Sequence, residues 1–251
     1  MTSTIQDRAR RAVAIAFWLI IWELASLLIG EELFLPSPVA VVMRLFSMIG
    51  LPGFWSSILF TLSRIISGFV LSVAAALLLA VLSNASRTAS FLIEPIVKVI
   101  RATPVASIVI LALVWISSRN LSVIISFMMV FPIVYSNVLE GIRNTDGKLL
   151  EAADIYRVRR VKRIRYIYLP SVIPYFSASV KAALGLAWKS GIAAEVISLP
   201  DGSIGERVYE AKIYLSTPDL FAWTLVIIVL AFLFERFFLL LTAALSRRIE
   251  G

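Results

Sequence analysis

One stretch of the sequence could bind nucleotide phosphates. Gly141-Ile-Arg-Asn-Thr-Asp-Gly147-Lys148 has the glycines and lysine of a phosphate-binding loop. However, five residues separate the glycines instead of four, and Leu149 replaces the Ser or Thr that would bind magnesium. We therefore predict no nucleotide site. Asp146-Gly147 is instead typical of a turn before a helix.

Other catalytic chemistry has few residues to use. The sequence contains no histidine and no cysteine, which removes disulfides, thiol chemistry and histidine-ligated metals. Serine-type intramembrane proteolysis would require a histidine, and the aspartyl type would require paired aspartates within spans. We expect no catalytic and no metal site. A carboxylate-metal site is the remaining route to a membrane enzyme.

The elements that must position any functional residue are membrane helices. Hydrophobic residues make up 60% of the 251 residues and charged residues 16%, with a mean hydropathy of +0.92. A water-soluble globule could not hide that much apolar surface. We predict an all-α polytopic membrane protein with one domain, 1–251. The net charge of +8 is explained by membrane orientation, and we expect no nucleic-acid partner.

About six transmembrane helices are expected. They lie near 13–29, 58–82, 96–116, 121–139, 172–197 and 220–245. The first could be a secretory signal, but no A-x-A site follows and Trp22-Glu23 interrupts its apolar core, so an uncleaved span is preferred. Pro95, Pro104, Pro132 and Pro174 should kink or break their helices.

Basic residues predict the orientation. Fourteen lie in one set of connections, namely Arg8, Arg10, Arg11, Arg87, the eight from Arg143 to Arg165, Arg247 and Arg248. Four lie in the alternate set, Arg44, Arg119, Arg207 and Lys212. Positive charge concentrates in the cytoplasm, so both termini and the loop around Glu151 are expected there. On the outer side, 38–49 and 204–215 are typical of short amphipathic interfacial helices, or of ordinary packed connections.

The cytoplasmic loop 141–170 contains a short predicted helix, 149–156. Its alanines, Ala152 and Ala153, would let a partner approach, while Leu150, Ile155 and Tyr156 would offer apolar anchors. Six basic residues follow, Arg157, Arg159, Arg160, Lys162, Arg163 and Arg165, and we expect most of them to face anionic lipid headgroups. Leu169-Pro170 then marks the entry to the fifth span, where proline costs little.

Glu151-Ala152-Ala153, with Leu169-Pro170 seventeen residues later, resembles the loop by which permease subunits of binding-protein-dependent ABC importers contact their ATPase. The chain resembles the nitrate, sulfonate and taurine branch over nearly its whole length. The fragments are Trp22-Glu23-Leu24, Leu35-Pro36-Ser37-Pro38, Arg64 with Gly68-Phe69, Arg101 with Pro104, Leu113 with Trp115, Ala187-Trp188, Ala194-Glu195 and Gly202-x-x-Gly205.

The resemblance implies a type I ABC importer permease fold in a bacterial inner membrane. It implies a cytoplasmic ABC ATPase dimer, a second permease copy or close relative, and an extracytoplasmic solute-binding protein as partners. No cofactor would bind this chain, since ATP and Mg would bind the partner ATPase. The ATPase-coupling residues would be Glu151, Ala152, Ala153, Ile155, Tyr156, Arg157, Leu169 and Pro170.

The chain departs from the family pattern in two places. Ile116-Ser117-Ser118 replaces a glycine-containing turn, and Arg157 replaces the usual glycine. Glycine adopts a left-handed turn without steric cost, whereas arginine there is strained by roughly 1 kcal/mol. We therefore expect the helix to continue past Arg157 or to turn by another route.

Charged residues inside spans should have a partner or a wet cavity. They are Glu23, Arg64, Lys181, Lys189, Glu195, Glu235 and Arg236. On the fifth span, Lys181, Gly185, Trp188, Ile192 and Glu195 share one helical stripe, which with Lys189 is our candidate pathway lining. Alternatively, Lys181 snorkels to the interface, Glu195 caps the helix and Trp188 packs.

Two functions remain open from these residues. One is the translocation subunit of an ATP-driven importer, which itself catalyses no reaction. The other is an ion-coupled secondary transporter, which would typically show midplane carboxylates and an inverted repeat. No clear repeat is visible, and the helix at Glu151 would then be unexplained. The substrate, whether nitrate, sulfonate, taurine or a vitamin precursor, is not determined by the sequence.

Overall fold

The computed structural model describes the backbone of residues 2–250, and the side chains of residue 10 and residues 12–242. Arg8, Arg11, Arg247 and Arg248 lie outside the described side chains. Within 2–250 the chain is helical without a strand. The α-helices in chain order are α1 (Thr2–Ile29), α2 (Pro38–Ile49), α3 (Phe54–Ala85), α4 (Arg87–Ala102), α5 (Val105–Ala112), α6 (Ser118–Arg143), α7 (Gly147–Ile155), α8 (Arg160–Arg163), α9 (Leu169–Ser198), α10 (Ile204–Ile213) and α11 (Thr217–Glu250).

Four helices are long and apolar enough to cross a membrane within the described residues. They lie in α1, α3, α6 and α11, and α4 with α5 forms a fifth candidate as a broken span. The two helices of this pair meet at 106°, with Pro104 between them, which confirms the expected break there. Pro95, Pro132 and Pro174 lie inside helices. Helix α9, our predicted fifth span, has 30 residues but contains three charged side chains.

Helix α6 forms the centre of the bundle and packs against α3 and α9. Small residues allow these close contacts, since a Cβ on Gly68 would collide with the Val123 carbonyl, and one on Gly191 would lie 2.7 Å from Ser126 Oγ. Serine hydroxyls also link these helices by hydrogen bonds. Ser72 donates to the Phe127 carbonyl at 3.0 Å, and Ser126 donates to the Ala187 carbonyl at 3.1 Å. These interhelical hydrogen bonds fix α9 against the centre.

Two short helices cover the end of the bundle opposite α7, and they confirm both predicted short helices. Ser37 caps α2 and Ser203 caps α10, each accepting from a backbone N–H three residues on. Arg44 of α2 forms a bidentate pair with Asp219 at the start of α11. That hydrogen bond raises the pKa of the Arg44 guanidinium. The pair therefore holds α2 against α11.

Candidate functional site

Helix α7 has the capped start that Asp146-Gly147 predicts. The Asp146 carboxylate accepts from the Lys148 N–H at 2.8 Å, and it lies at the positive end of the helix dipole. The helix covers Gly147–Ile155 and contains Glu151, whose side chain is exposed. A short helix with a fixed start therefore projects between α6 and α9.

The most exposed large apolar side chains of the α7 region lie at the end of the helix and just past it. Ile155 is 78% and Tyr156 80% exposed, unusual values for such large side chains unless a partner covers them. Ala152 is half-buried, whereas Ala153 is buried under the loop itself. Of the two alanines, Ala153 supports the loop and offers no surface to a partner.

The end of α7 corrects our prediction for Arg157. The helix ends at Ile155, and Arg157 adopts the left-handed conformation with φ 48°. The Val158 N–H bonds the Ala153 carbonyl at 2.9 Å, and the Arg157 N–H bonds the Asp154 carbonyl at 3.0 Å. This pair of bonds is a Schellman motif, which satisfies the last carbonyls of the helix. The chain therefore keeps the turn that glycine would make, with arginine in its place.

Arg163 holds this turn, a role that our sequence analysis missed. Its guanidinium donates to the carbonyls of Val158 and Ala153, both at 3.0 Å, and forms an ion pair with Asp154. A cation beside the last carbonyls of a helix is stabilising. Arg163 is thus directed into the loop and is not among the basic residues free to face lipid. Nothing in the sequence distinguishes it from its five basic neighbours.

Leu169 and Pro170 lie inside a continuous helical segment. Helix α8 runs into a π-helical turn, Ile164–Tyr168, which joins α9 directly. The Leu169 N–H bonds the Ile164 carbonyl, five residues back. Pro170 is at the start of α9, where its missing N–H is tolerated because the wider π turn precedes it. The predicted entry to the span is correct, but the helical backbone begins earlier, at Arg160.

The six candidate pathway residues are not equally accessible. Lys181, Gly185 and Lys189 are exposed, and Ile192 is half-buried. Trp188 is buried against α11, where its indole N–H donates to the Ile227 carbonyl at 3.1 Å. Glu195 is fully buried. Within the single chain, the open part of α9 is therefore the face at Lys181, Gly185 and Lys189.

Glu195 is the centre of a buried polar contact between α3, α9 and α10. Its Oε2 accepts from the Thr61 hydroxyl at 2.8 Å and from the Gly205 N–H at 3.4 Å, and the Ile204 N–H donates to Thr61 Oγ1 at 3.0 Å. A side chain on Gly205 would collide with Glu195. Glu195 therefore binds the first turn of a following helix and does not cap its own.

An all-helical bundle of membrane-spanning helices with a short helix between two of the long ones is the architecture of an ABC importer permease. Residues 68–251 match the family described as the binding-protein-dependent transport system inner membrane component, and the chain belongs to this family. It is the translocation subunit of an ABC importer and is not itself catalytic, since the ATPase is a separate subunit.

Curated relatives align over most of the chain. The putative aliphatic sulfonates transport permease protein SsuC of Bacillus subtilis is 26% identical over 94% of this chain and 84% of its own. The taurine transport system permease protein TauC of Escherichia coli is 27% identical over 89% and 82%. The nitrate import permease protein NrtB of Synechococcus elongatus is 26% identical over 79% and 75%. These relatives confirm the branch indicated by the sequence.

A solved structure supports the fold. One chain of a crystal structure of an amino acid ABC transporter with histidines superposes with a TM-score of 0.60, at 21% identity. The match covers 81% of this chain and 97% of that one. The type I permease fold is thereby confirmed.

Proposed function

We propose that α7 is the element through which a cytoplasmic ATPase dimer moves this permease. The observation that carries the proposal is the combination of exposed Ile155 and Tyr156 with a helix fixed at both ends, by Asp146 and by Arg163. A helix that is fixed at both ends can transmit force, because it keeps its conformation when a partner moves it. Glu151 is exposed on the same helix and would face the partner. Coupling at this loop requires it to lie in the cytoplasm, together with both termini.

Coupling can be tested by charge reversal at Glu151. We expect Glu151→Lys to lower co-purification of the ATPase and substrate-stimulated ATP hydrolysis, with membrane insertion retained. Lys98→Glu, a charge reversal on the exposed face of α4, is the matched control. Normal coupling in Glu151→Lys would show that α7 is not the coupling element. Uptake by the purified permease driven by an ion gradient alone would instead favour a secondary transporter.

We further propose that the face of α9 at Lys181, Gly185 and Lys189 borders the pathway in a pair of permeases. Charged side chains on a span are costly against lipid, by roughly 2.5–3.5 kcal/mol each on insertion scales. An exposed face with two lysines is therefore expected to be covered by a second subunit or by water. Ammonium groups there would stabilise small anionic or zwitterionic solutes, delivered by an external binding protein. The relatives named for sulfonates, taurine and nitrate support this substrate class.

Cysteine substitution tests the pathway, because the chain has no native cysteine. In the assembled transporter, Gly185→Cys should react with a water-soluble thiol reagent and be protected by substrate. Ala183→Cys, at a fully buried position two residues away, is the control and should remain unreactive. An unreactive Gly185→Cys would exclude a wet route along this face.

A further inference from the structure

A continuous apolar groove runs along α3 on the side away from the Lys181 face. Its lower part, 330 Å³, lies between α3 and the start of α9 with α6 as its floor, and its upper part, 280 Å³, lies between α3, α9 and α11. Leu77 lines both parts, so they adjoin. Along α9, Val172, Phe176 and Val180 follow one another at single-turn spacing.

The groove is longer than one leaflet of a bilayer. On α3 it extends from Phe69 to Ala85, about 24 Å at the helical rise. One leaflet of the hydrocarbon core is about 15 Å thick, so the groove reaches from the bilayer interior to the headgroup level. Its rim is exposed and apolar, with Val70 and Val81 half-exposed. An acyl chain in the groove would contact hydrocarbon along its whole length.

Positive charge surrounds the end of the groove nearest α7. Ile164 and Leu169 line that end. Arg160 precedes Ile164 by one α-helical turn. Arg165 precedes Leu169 by four residues across the π-helical turn, with its guanidinium 5.8 Å from the Tyr166 ring, and both arginines are exposed. Arg87 follows Ala85 by two residues. Arginines at headgroup level bind phosphate oxygens by charge-assisted hydrogen bonds, and the apolar groove continues directly beneath them.

We propose that this groove is a binding site for an anionic phospholipid, with one acyl chain along α3 and its phosphate at Arg160 and Arg165. The site goes beyond general attraction of a basic loop to a membrane, because it joins a shaped apolar channel to defined cations. The bound lipid contacts the π-helical turn Ile164–Tyr168, which connects α8 to α9 on the side of the loop that carries α7. The lipid headgroup is therefore placed to influence the position of that turn.

Photolabelling can test the site. The full chain is reconstituted in vesicles with phosphatidylglycerol or phosphatidylcholine carrying a photoreactive acyl chain, and labelled peptides are mapped. We expect phosphatidylglycerol to label the groove residues of α3 and α9 more strongly than phosphatidylcholine, by about fivefold for each arginine involved. Arg160→Gln with Arg165→Gln should equalise the two lipids. Lys98→Gln with Lys148→Gln removes two exposed positive charges outside the groove lining and should preserve the preference.

A substitution that fills the groove distinguishes a shaped binding site from a nonspecific apolar surface. Ala74 is exposed within the groove, so Ala74→Phe should lower labelling of the groove several-fold, whereas Leu71→Phe, outside the groove lining, should not. Equal labelling by both lipids, or unchanged labelling in Ala74→Phe, would overturn the proposal. A disulfide between two Val81→Cys chains would overturn it also, because a second copy would then occupy the groove. The assay needs no ATPase, so a negative result leaves the transport proposal standing.

Discussion

Replacing Arg163 with alanine should loosen the loop that presents α7. The guanidinium makes two hydrogen bonds to carbonyls at the end of α7 and is itself mostly covered, with 24% of its side chain exposed. Hydrogen bonds from charged groups contribute about 1.5–3 kcal/mol each when partly buried. The partner Asp154 is 69% exposed, so that ion pair adds at most about 1 kcal/mol. The Ala153 carbonyl keeps its bond from the Val158 N–H when the guanidinium is removed, so we expect a net local loss close to that of one such bond, about 2 kcal/mol.

Hydrogen exchange measures this loss directly. A change of about 2 kcal/mol raises the population of locally open states about 30-fold, and the Val158 amide, which bonds the Ala153 carbonyl, should exchange faster by that factor. ATPase co-purification should fall in parallel, while exchange in α3 and α6 stays unchanged. Lys162→Ala, at the exposed preceding position, is the control. Unchanged exchange at Val158 in Arg163→Ala would refute the bracing role.

Two further predictions concern backbone positions. Arg157→Gly relieves a left-handed conformation and should stabilise the turn by up to about 1 kcal/mol, seen as slower exchange at Val158; faster exchange would contradict it. Gly205→Ala places a Cβ against Glu195 and should lower thermal stability by about 1–3 kcal/mol. Gly185→Ala, where the added Cβ meets open space, should be neutral or stabilising by up to about 1 kcal/mol. Equal melting temperatures for these two variants would refute the tight contact at Gly205.

Local signals predicted much of this fold because the relevant physics is local. Asp146-Gly147 determines a helix start through a side chain two residues from the N–H that it caps, and Pro104 breaks its span by its own ring geometry. The apolar runs of α3, α6 and α11 indicate spans for the same reason. These features are readable from residues adjacent in the chain.

The details missed by the sequence analysis depend on residues brought together by folding. Arg157 keeps a left-handed turn because the Schellman bonds and Arg163 hold it there, which outweighs a strain of roughly 1 kcal/mol. Helical spacing places Glu195 on the same stripe as Lys181. Helices α3 and α10 nevertheless cover Glu195, whereas Lys181 is exposed. Spacing places side chains on a face of a helix, but the neighbours of that face are set by tertiary structure.

The helical backbone is unbroken from Arg160 to Ser198. It therefore connects the loop of α7 mechanically with the opposite end of the bundle. Helix α9 alone is about 45 Å long, and near its far end Glu195 is bonded to the first turn of α10. A tilt of about 10° at the π-helical turn would therefore carry the opposite end through about 8 Å. Movement of the loop of α7 would reach α10 through the backbone of α9 itself, because one continuous helical segment connects the two.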